Sequence, residues 1–161
     1  KTIVEYSDHI YKVAKDMMHR LRPSVLDEFG LVKALQNMVD EWNANQDEIF
    51  CDFRFSDVSD NLSESLRISL YRIVQESLTN SLKYSKAEKV VVMIKKIIRN
   101  DVEKIYLEIY DDGVGVNKDK IKLSFGLLGI KERVEMHNGE FEFFSKLGEG
   151  FKIVIVIPME H

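Results

Sequence analysis

Glu76, Asn80 and Lys83 are the first residues whose types and spacing could do chemistry. At about 100° per residue they fall within roughly 60° of one another on a helix, while Leu66, Leu70, Ile73, Val74, Leu78 and Leu82 take the broad opposite side. That opposite side would pack on the body of the protein. The first face offers a carboxylate, an amide and an ammonium in a row, a set suited to a metal ion and phosphate oxygens, because hard cations take oxygen ligands and phosphate takes a cationic donor. From this spacing alone, a solvated helix face with a Glu to Lys pairing is the more usual reading, since charged helix faces are common.

A second constellation is Asp111-Asp112-Gly113-Val114-Gly115, at the end of a β-branched run. Glycines at that spacing remove Cβ atoms where a flat ligand could lie on the backbone, and a carboxylate at a strand end could accept a hydrogen bond from an exocyclic amine. An ordinary tight turn has the same pattern. Gly126 and Gly129 then open another helix, where free N–H groups and the helix dipole make an anion site. Neither the G-K-S/T of a P-loop nor the G-x-G-x-x-G of a dinucleotide fold is present. Seven of the eight glycines fall between residues 113 and 150, so this stretch turns sharply or admits a ligand. Gly139 is expected to close the helix ending near Asn138, and Gly148 and Gly150 to form a hairpin turn bordering the site.

The elements that must position these residues follow from periodicity. Ile3, Tyr6, Ile10, Val13, Met17 and Leu21 predict a helix over 1–22 with one narrow apolar seam that wants a partner. Pro23 stops it, a polar turn Asp27-Glu28-Phe29-Gly30 follows, and a second helix is predicted from Leu31 to Asn45. Strands are predicted over Ile49–Phe55, Val90–Ile98, Val102–Tyr110, Glu140–Ser145 and Phe151–Pro158, with helices over Ser63–Ser85, N-capped by Ser63, and Leu127–His137. Arg99-Asn100-Asp101 marks a hairpin. The expected fold is an α+β two-layer sandwich, a mixed five-stranded sheet with helices on one face, preceded by an N-terminal helix.

Composition narrows the function classes. With 23 basic and 27 acidic residues the net charge is −4, which argues against direct nucleic-acid binding. No apolar run approaches the roughly 18 residues of a membrane span. Cys51 is the lone cysteine among the 161 residues, read as core filler in a cytoplasmic domain. The chain opens inside a helical pattern without a cap, so we expect a piece of a longer polypeptide.

Several ordered motifs together resemble the catalytic, ATP-binding domain of two-component sensor histidine kinases, of the GHKL superfamily and Bergerat fold. Arg72 to Lys83 is similar to the family's N-box, Asp111 to Gly115 to its first glycine box, and Gly126 to Gly129 to its second. Leu21-Arg22-Pro23 and Leu26 to Leu31 resemble the junction in a subgroup that includes the nitrate sensors, whose response regulators carry a helix-turn-helix output domain. The resemblance implies that Asn80 holds Mg²⁺, Glu76 orients or activates the attacking group, and Lys83 contacts phosphate. Asp111 would read the adenine amino group, Gly113 and Gly115 would let the base lie close, and Gly126 and Gly129 would frame a lid, Asn117 to Phe125, over the ATP triphosphate. The family usually has His where Tyr84 stands and Thr where Phe151 stands.

Residues 1–24 then resemble the C-terminal helix of a dimerisation and phosphotransfer hairpin, and 25–161 the catalytic domain. His9 precedes Ile10 and His19 precedes Arg20, unlike the family's phosphoacceptor, which is followed by an acidic residue. The accepting histidine is therefore expected upstream of residue 1. The implied partners are a response regulator and a second copy through the hairpin, in a parent protein that could be membrane-anchored. Two further readings stay open: a GHKL protein-serine kinase or ATPase, and a non-catalytic module with a decayed nucleotide site.

Overall fold

The computed structural model describes residues 24–58, 61–117 and 125–159. The expected helix over 1–22, with His9 and His19, and the expected lid from 118 to 124 lie outside the described residues. In chain order the elements are α1 (Ser24–Asn45), β1 (Phe50–Ser56), α2 (Glu64–Asn80) continued by a π-helical turn (Ser81–Ser85), β2 (Lys89–Arg99), β3 (Val102–Asp111), α3 (Phe125–Met136), β4 (Glu140–Ser145) and β5 (Phe151–Pro158).

The strands form one mixed sheet in the order β1-β2-β3-β5-β4. β1 runs parallel to β2, and the other neighbours are antiparallel. Period-two alternation sorts the faces. Val90, Val92 and Ile94 of β2, Ile105, Leu107 and Ile109 of β3, and Ile153, Ile155 and Ile157 of β5 are all buried. They share one core with Leu35, Leu66, Leu70, Ile73, Ile130 and Val134 of the helices. The alternate residues are mixed, and the polar ones among them pair across strands: Lys152 Nζ lies 3.4 Å from Glu108 Oε1, and Lys95 Nζ lies 5.2 Å from the Tyr106 ring centroid. Helices on one face of a mixed sheet is the architecture expected.

Local signals explain the boundaries. The Ser63 hydroxyl caps α2 by accepting from the Leu66 N–H at 3.2 Å. Asn100 and Asp101 both take left-handed backbone (φ 53° and 63°), the two-residue hairpin turn whose twist matches the strands. The resulting register sets Asp111 opposite Val90 on one side and Phe151 on the other. At the sheet edge, Asn43 of α1 donates to the Cys51 carbonyl and accepts from the Cys51 N–H, both at 2.9 Å, substituting for a missing strand partner. Cys51 itself is buried, and burial, with the nearby Asp52, pushes its thiol up to about 12, as suits core filler.

Two expectations need correction. Asp27 to Phe29, expected with Gly30 as a polar turn, are helical; the break falls at Gly30 alone, with φ 79° and ψ 177°, and the buried Leu26 and Leu31 anchor both sides. The helix end near 138 is not closed by a left-handed Gly139. Asn138 takes the left-handed position (φ 58°), while the Asn138 N–H reaches Glu135 O at 3.0 Å and the Gly139 N–H reaches Val134 O at 2.9 Å, a Schellman end with asparagine at C′. Gly139 is needed for space, since a Cβ there would stand 2.7 Å from Ile157 Cγ1.

Candidate functional site

Helix α2 carries Glu76 and Asn80 to the start of α3. Glu76 is 5% exposed, which removes the solvated-face reading for this carboxylate. Gly126 sits directly on the pair: a Cβ there would overlap Glu76 Oε1 and approach Asn80 Oδ1 and Nδ2 at 2.9 Å. Asn80 Nδ2 is buried and has no hydrogen-bond partner among the described residues. An orphaned buried amide costs about 1–3 kcal/mol, and such a group marks a place where a ligand atom belongs. Lys83 is exposed, its Nζ 5.3 Å from the centroid of the Tyr84 ring.

Between α2 with its π-helical turn, the end of β3 and the loop after it, and the start of β5 and the loop before it lies a cavity of about 610 Å³. Its floor is Ile109, Asp111, Phe151 and Ile153. One wall is Ser77, Asn80, Ser81, Tyr84 and Ser85, and the other side is closed by Val114 to Asn117, Leu127 and Leu147. The lining is largely apolar, and Asp111 is the one carboxylate on it. Asp111 is 5% exposed; its Oδ1 accepts from the Gly113 N–H at 3.0 Å, and the Ser81 hydroxyl reaches Oδ2 at 3.5 Å. Burial raises its pKa above the ordinary carboxylate value, the Gly113 N–H pulls it back, the Asp112 charge adds to the rise, and hydrogen bonds from the Phe151 N–H and Ser81 lower it again.

The two aspartates divide the work. Asp112 turns away from the cavity and accepts from the N–H groups of Glu88 at 2.9 Å and Lys89 at 3.0 Å, tying the end of β3 to the start of β2. A slot with apolar walls and a single acceptor carboxylate suits a planar heteroaromatic ring bearing an exocyclic N–H. Asn80, on the same lining, suits a polar extension of that ring.

The structure puts Asn80, Asp111 and Gly115 on the lining of this cavity, with Glu76 and Gly126 packed against Asn80 behind it. It places Lys83, Gly113 and Gly129 off its lining, and a Cβ at Gly129 would meet nothing within 4 Å. The space at Gly113 is taken by the backbone of Ser85, and that at Gly115 (φ 61°) by the carbonyls of Lys146 and Gly150. These glycines were expected to make room for a base; they make room first for other backbone. Phe151 lines the cavity and stacks on Phe143, centroids 6.0 Å apart and planes 11° from parallel. Ser81 and Leu147 were missed as site residues. The four-residue spacing of Ser77, Ser81 and Ser85 was the available signal for the first.

Residues 65–161 match the family described as histidine kinase-, DNA gyrase B- and HSP90-like ATPase. The chain is 34% identical over 160 residues to the sensor histidine kinase ComP of Bacillus subtilis, covering 96% of this chain and 20% of that protein. It is 35% identical over 144 residues to the histidine-protein kinase/phosphatase DegS of Brevibacillus brevis, covering 89% of this chain and 36% of that protein. It thus spans between about a fifth and two fifths of the length of such relatives. Among solved structures, the blue-light activated histidine kinase of Erythrobacter litoralis EL346 shares the fold with a TM-score of 0.63 at 19% identity, over 78% of this chain and 40% of that one. The mycobacterial sensor histidine kinase MprB shares it with a TM-score of 0.57 at 18% identity, over 80% and 94%. With Glu76 and Asn80 packed under Gly126 and the buried carboxylate of Asp111 on the cavity lining, this chain belongs to the family of histidine kinase-, DNA gyrase B- and HSP90-like ATPases.

Proposed function

We propose that residues 25–161 bind ATP and transfer its γ-phosphoryl group to a histidine upstream of residue 1, for relay to a response regulator with a helix-turn-helix output domain. In the same reading residues 1–24 are the C-terminal helix of a dimerisation and phosphotransfer hairpin, the parent protein is a homodimer, and this domain works on the cytoplasmic side of a membrane-anchored kinase. Among the described residues no helix is long and apolar enough to cross a membrane.

The observation that carries the reading is one cavity lined both by a buried acceptor, Asp111, and by Asn80, whose Nδ2 has no hydrogen-bond partner among the described residues. Asp111 would accept from the adenine amino group. Asn80 would offer an oxygen to Mg²⁺. A single amide oxygen fits a cation that takes most of its oxygens from phosphate and water rather than a protein-caged one. Bound there, Mg²⁺ would neutralise charge on the phosphates. Glu76 would orient the attacking imidazole, and Lys83, at the exposed end of the same helix face, would approach phosphate oxygens. Transfer breaks the bond from the γ-phosphorus to the bridging oxygen, forms a phosphorus–nitrogen bond and leaves ADP.

Calorimetric titration with ATP and Mg²⁺ tests this on the native chain and on Asn80→Ala and Asp111→Asn. Binding by the native chain, weakened at least about tenfold in each variant, is the expected result, with no ³²P incorporation at His9 or His19. Absence of binding by the native chain would instead favour the decayed-site module.

A further inference from the structure

Three serines spaced by four line one wall of the cavity: Ser77, Ser81 and Ser85. Two of them turn their hydroxyls back onto their own helix. Ser77 donates to Ile73 O at 2.8 Å and Ser85 donates to Ser81 O at 2.6 Å, the usual i−4 habit of a helical serine. Ser81 does not follow. Its hydroxyl instead crosses to Asp111 Oδ2 on β3 at 3.5 Å. The departure coincides with the switch from α- to π-helix at Ser81, and single π turns commonly mark functional positions.

We propose that Ser81 sets the base specificity of the cavity by holding Asp111 in its acceptor form. The proposal rests on the nucleotide reading given above. A hydroxyl has one proton and two lone pairs. With that proton directed at Asp111, Ser81 shows the cavity only lone pairs, and an ionised Asp111 shows only acceptors. The pair therefore welcomes a ring with an exocyclic amine and opposes one with a carbonyl in the same place, where acceptor would face acceptor. Adenine and hypoxanthine differ in this way, amino against oxo at carbon 6.

The arrangement is needed because Asp111 is biased toward protonation. It is buried, Asp112 follows it just past the end of β3, and its opposing donors are the Gly113 N–H, the Phe151 N–H from β5 and Ser81 from the π-helical turn after α2. Its partner across β2 is the apolar Val90. Without the Ser81 hydrogen bond the carboxyl takes up a proton at higher pH, and a protonated carboxyl can donate to a 6-oxo group. Ser81 is thus a positioning residue that acts through Asp111.

The test is the ratio of dissociation constants for ADP and IDP, measured by calorimetry at mildly acidic and mildly alkaline pH. The native chain is expected to prefer ADP at both. Ser81→Ala should lose about tenfold of that preference, with the greater loss on the acidic side; Ser81→Thr should restore it. Ser81→Cys, a weak donor of similar size, should fall between, and it carries the test if the alanine variant does not fold. An unchanged ADP to IDP ratio in Ser81→Ala and Ser81→Cys overturns the proposal, and so does an equal weakening of both nucleotides, which is what a merely structural serine would give. If the native chain binds neither nucleotide, the nucleotide reading itself falls; if it binds ADP while the ratio is indifferent to position 81, only the role of Ser81 falls.

Discussion

Burial of Asp111 is a cost the fold carries for its site. A carboxyl whose folded pKa lies above its unfolded value contributes stability below the unfolded pKa and loses it as pH rises through the folded one. Asp111 has such a raised pKa, with burial the largest cause, so at neutral pH its charge destabilises the native state. Asp111→Asn keeps an oxygen to accept from the Gly113 N–H and removes the charge. It is expected to raise the melting temperature at neutral pH while weakening nucleotide binding, and thermal scans at decreasing pH should show the gain shrinking through the carboxylate range. A melting temperature below native at neutral pH would contradict this. At this scale much was legible: Glu76, Asn80 and Asp111 announce themselves through helical period and a strand-end carboxylate. Ser81 did not, because a constant 100° per residue cannot register a turn that widens at residues 81–85.

Helix α3 shows how two glycines three residues apart can stand for different things. Gly126 lies where a Cβ would overlap the Glu76 carboxylate, whereas Gly129 faces open space. Gly129→Ala should therefore gain helix propensity, up to about 1 kcal/mol, raising the melting temperature by roughly 2–4 °C. Gly126→Ala should cost about 1–3 kcal/mol through overpacking and displace Asn80, so nucleotide affinity falls with stability. Differential scanning calorimetry and titration of both variants check the contrast; a loss of similar size in the two would show that the space around α3 has been misjudged. The second glycine motif thus predicted the element correctly and left its two glycines indistinguishable, because the difference is a distance to another helix. The early turn was mistaken for a similar reason: Asp27-Glu28-Phe29-Gly30 reads as a polar turn, yet the chain is helical up to Gly30 with Leu26 buried in the core.

For the molecule as a whole, the cavity opens at the end of β3, at the start of β5 and along α2, so a ligand there bridges the sheet and the helix layer. A ligand that binds only the folded form adds about 2.7 kcal/mol of stability at a hundredfold excess over its dissociation constant. ADP at that excess should raise the melting temperature by roughly 5–10 °C, and by much less in Asp111→Asn; equal shifts in the two proteins would place the ligand elsewhere. Sheet composition and layer order were readable because buried residues alternate through β3 and the first half of β2, and β5 is an apolar β-branched run. The order β1-β2-β3-β5-β4 was not, since nothing local in β5 says that it inserts between β3 and β4. The corner at Gly30 bears on how this body responds to force. A continuous helix would convey a twist applied to residues 24–29 along its axis, but a residue at φ 79° and ψ 177° interrupts that shaft. With Leu26 and Leu31 both clamped in the core, a pull on the incoming chain acts as a crank on the helix layer, and its load falls on the packing between α1 and α2 rather than on torsion.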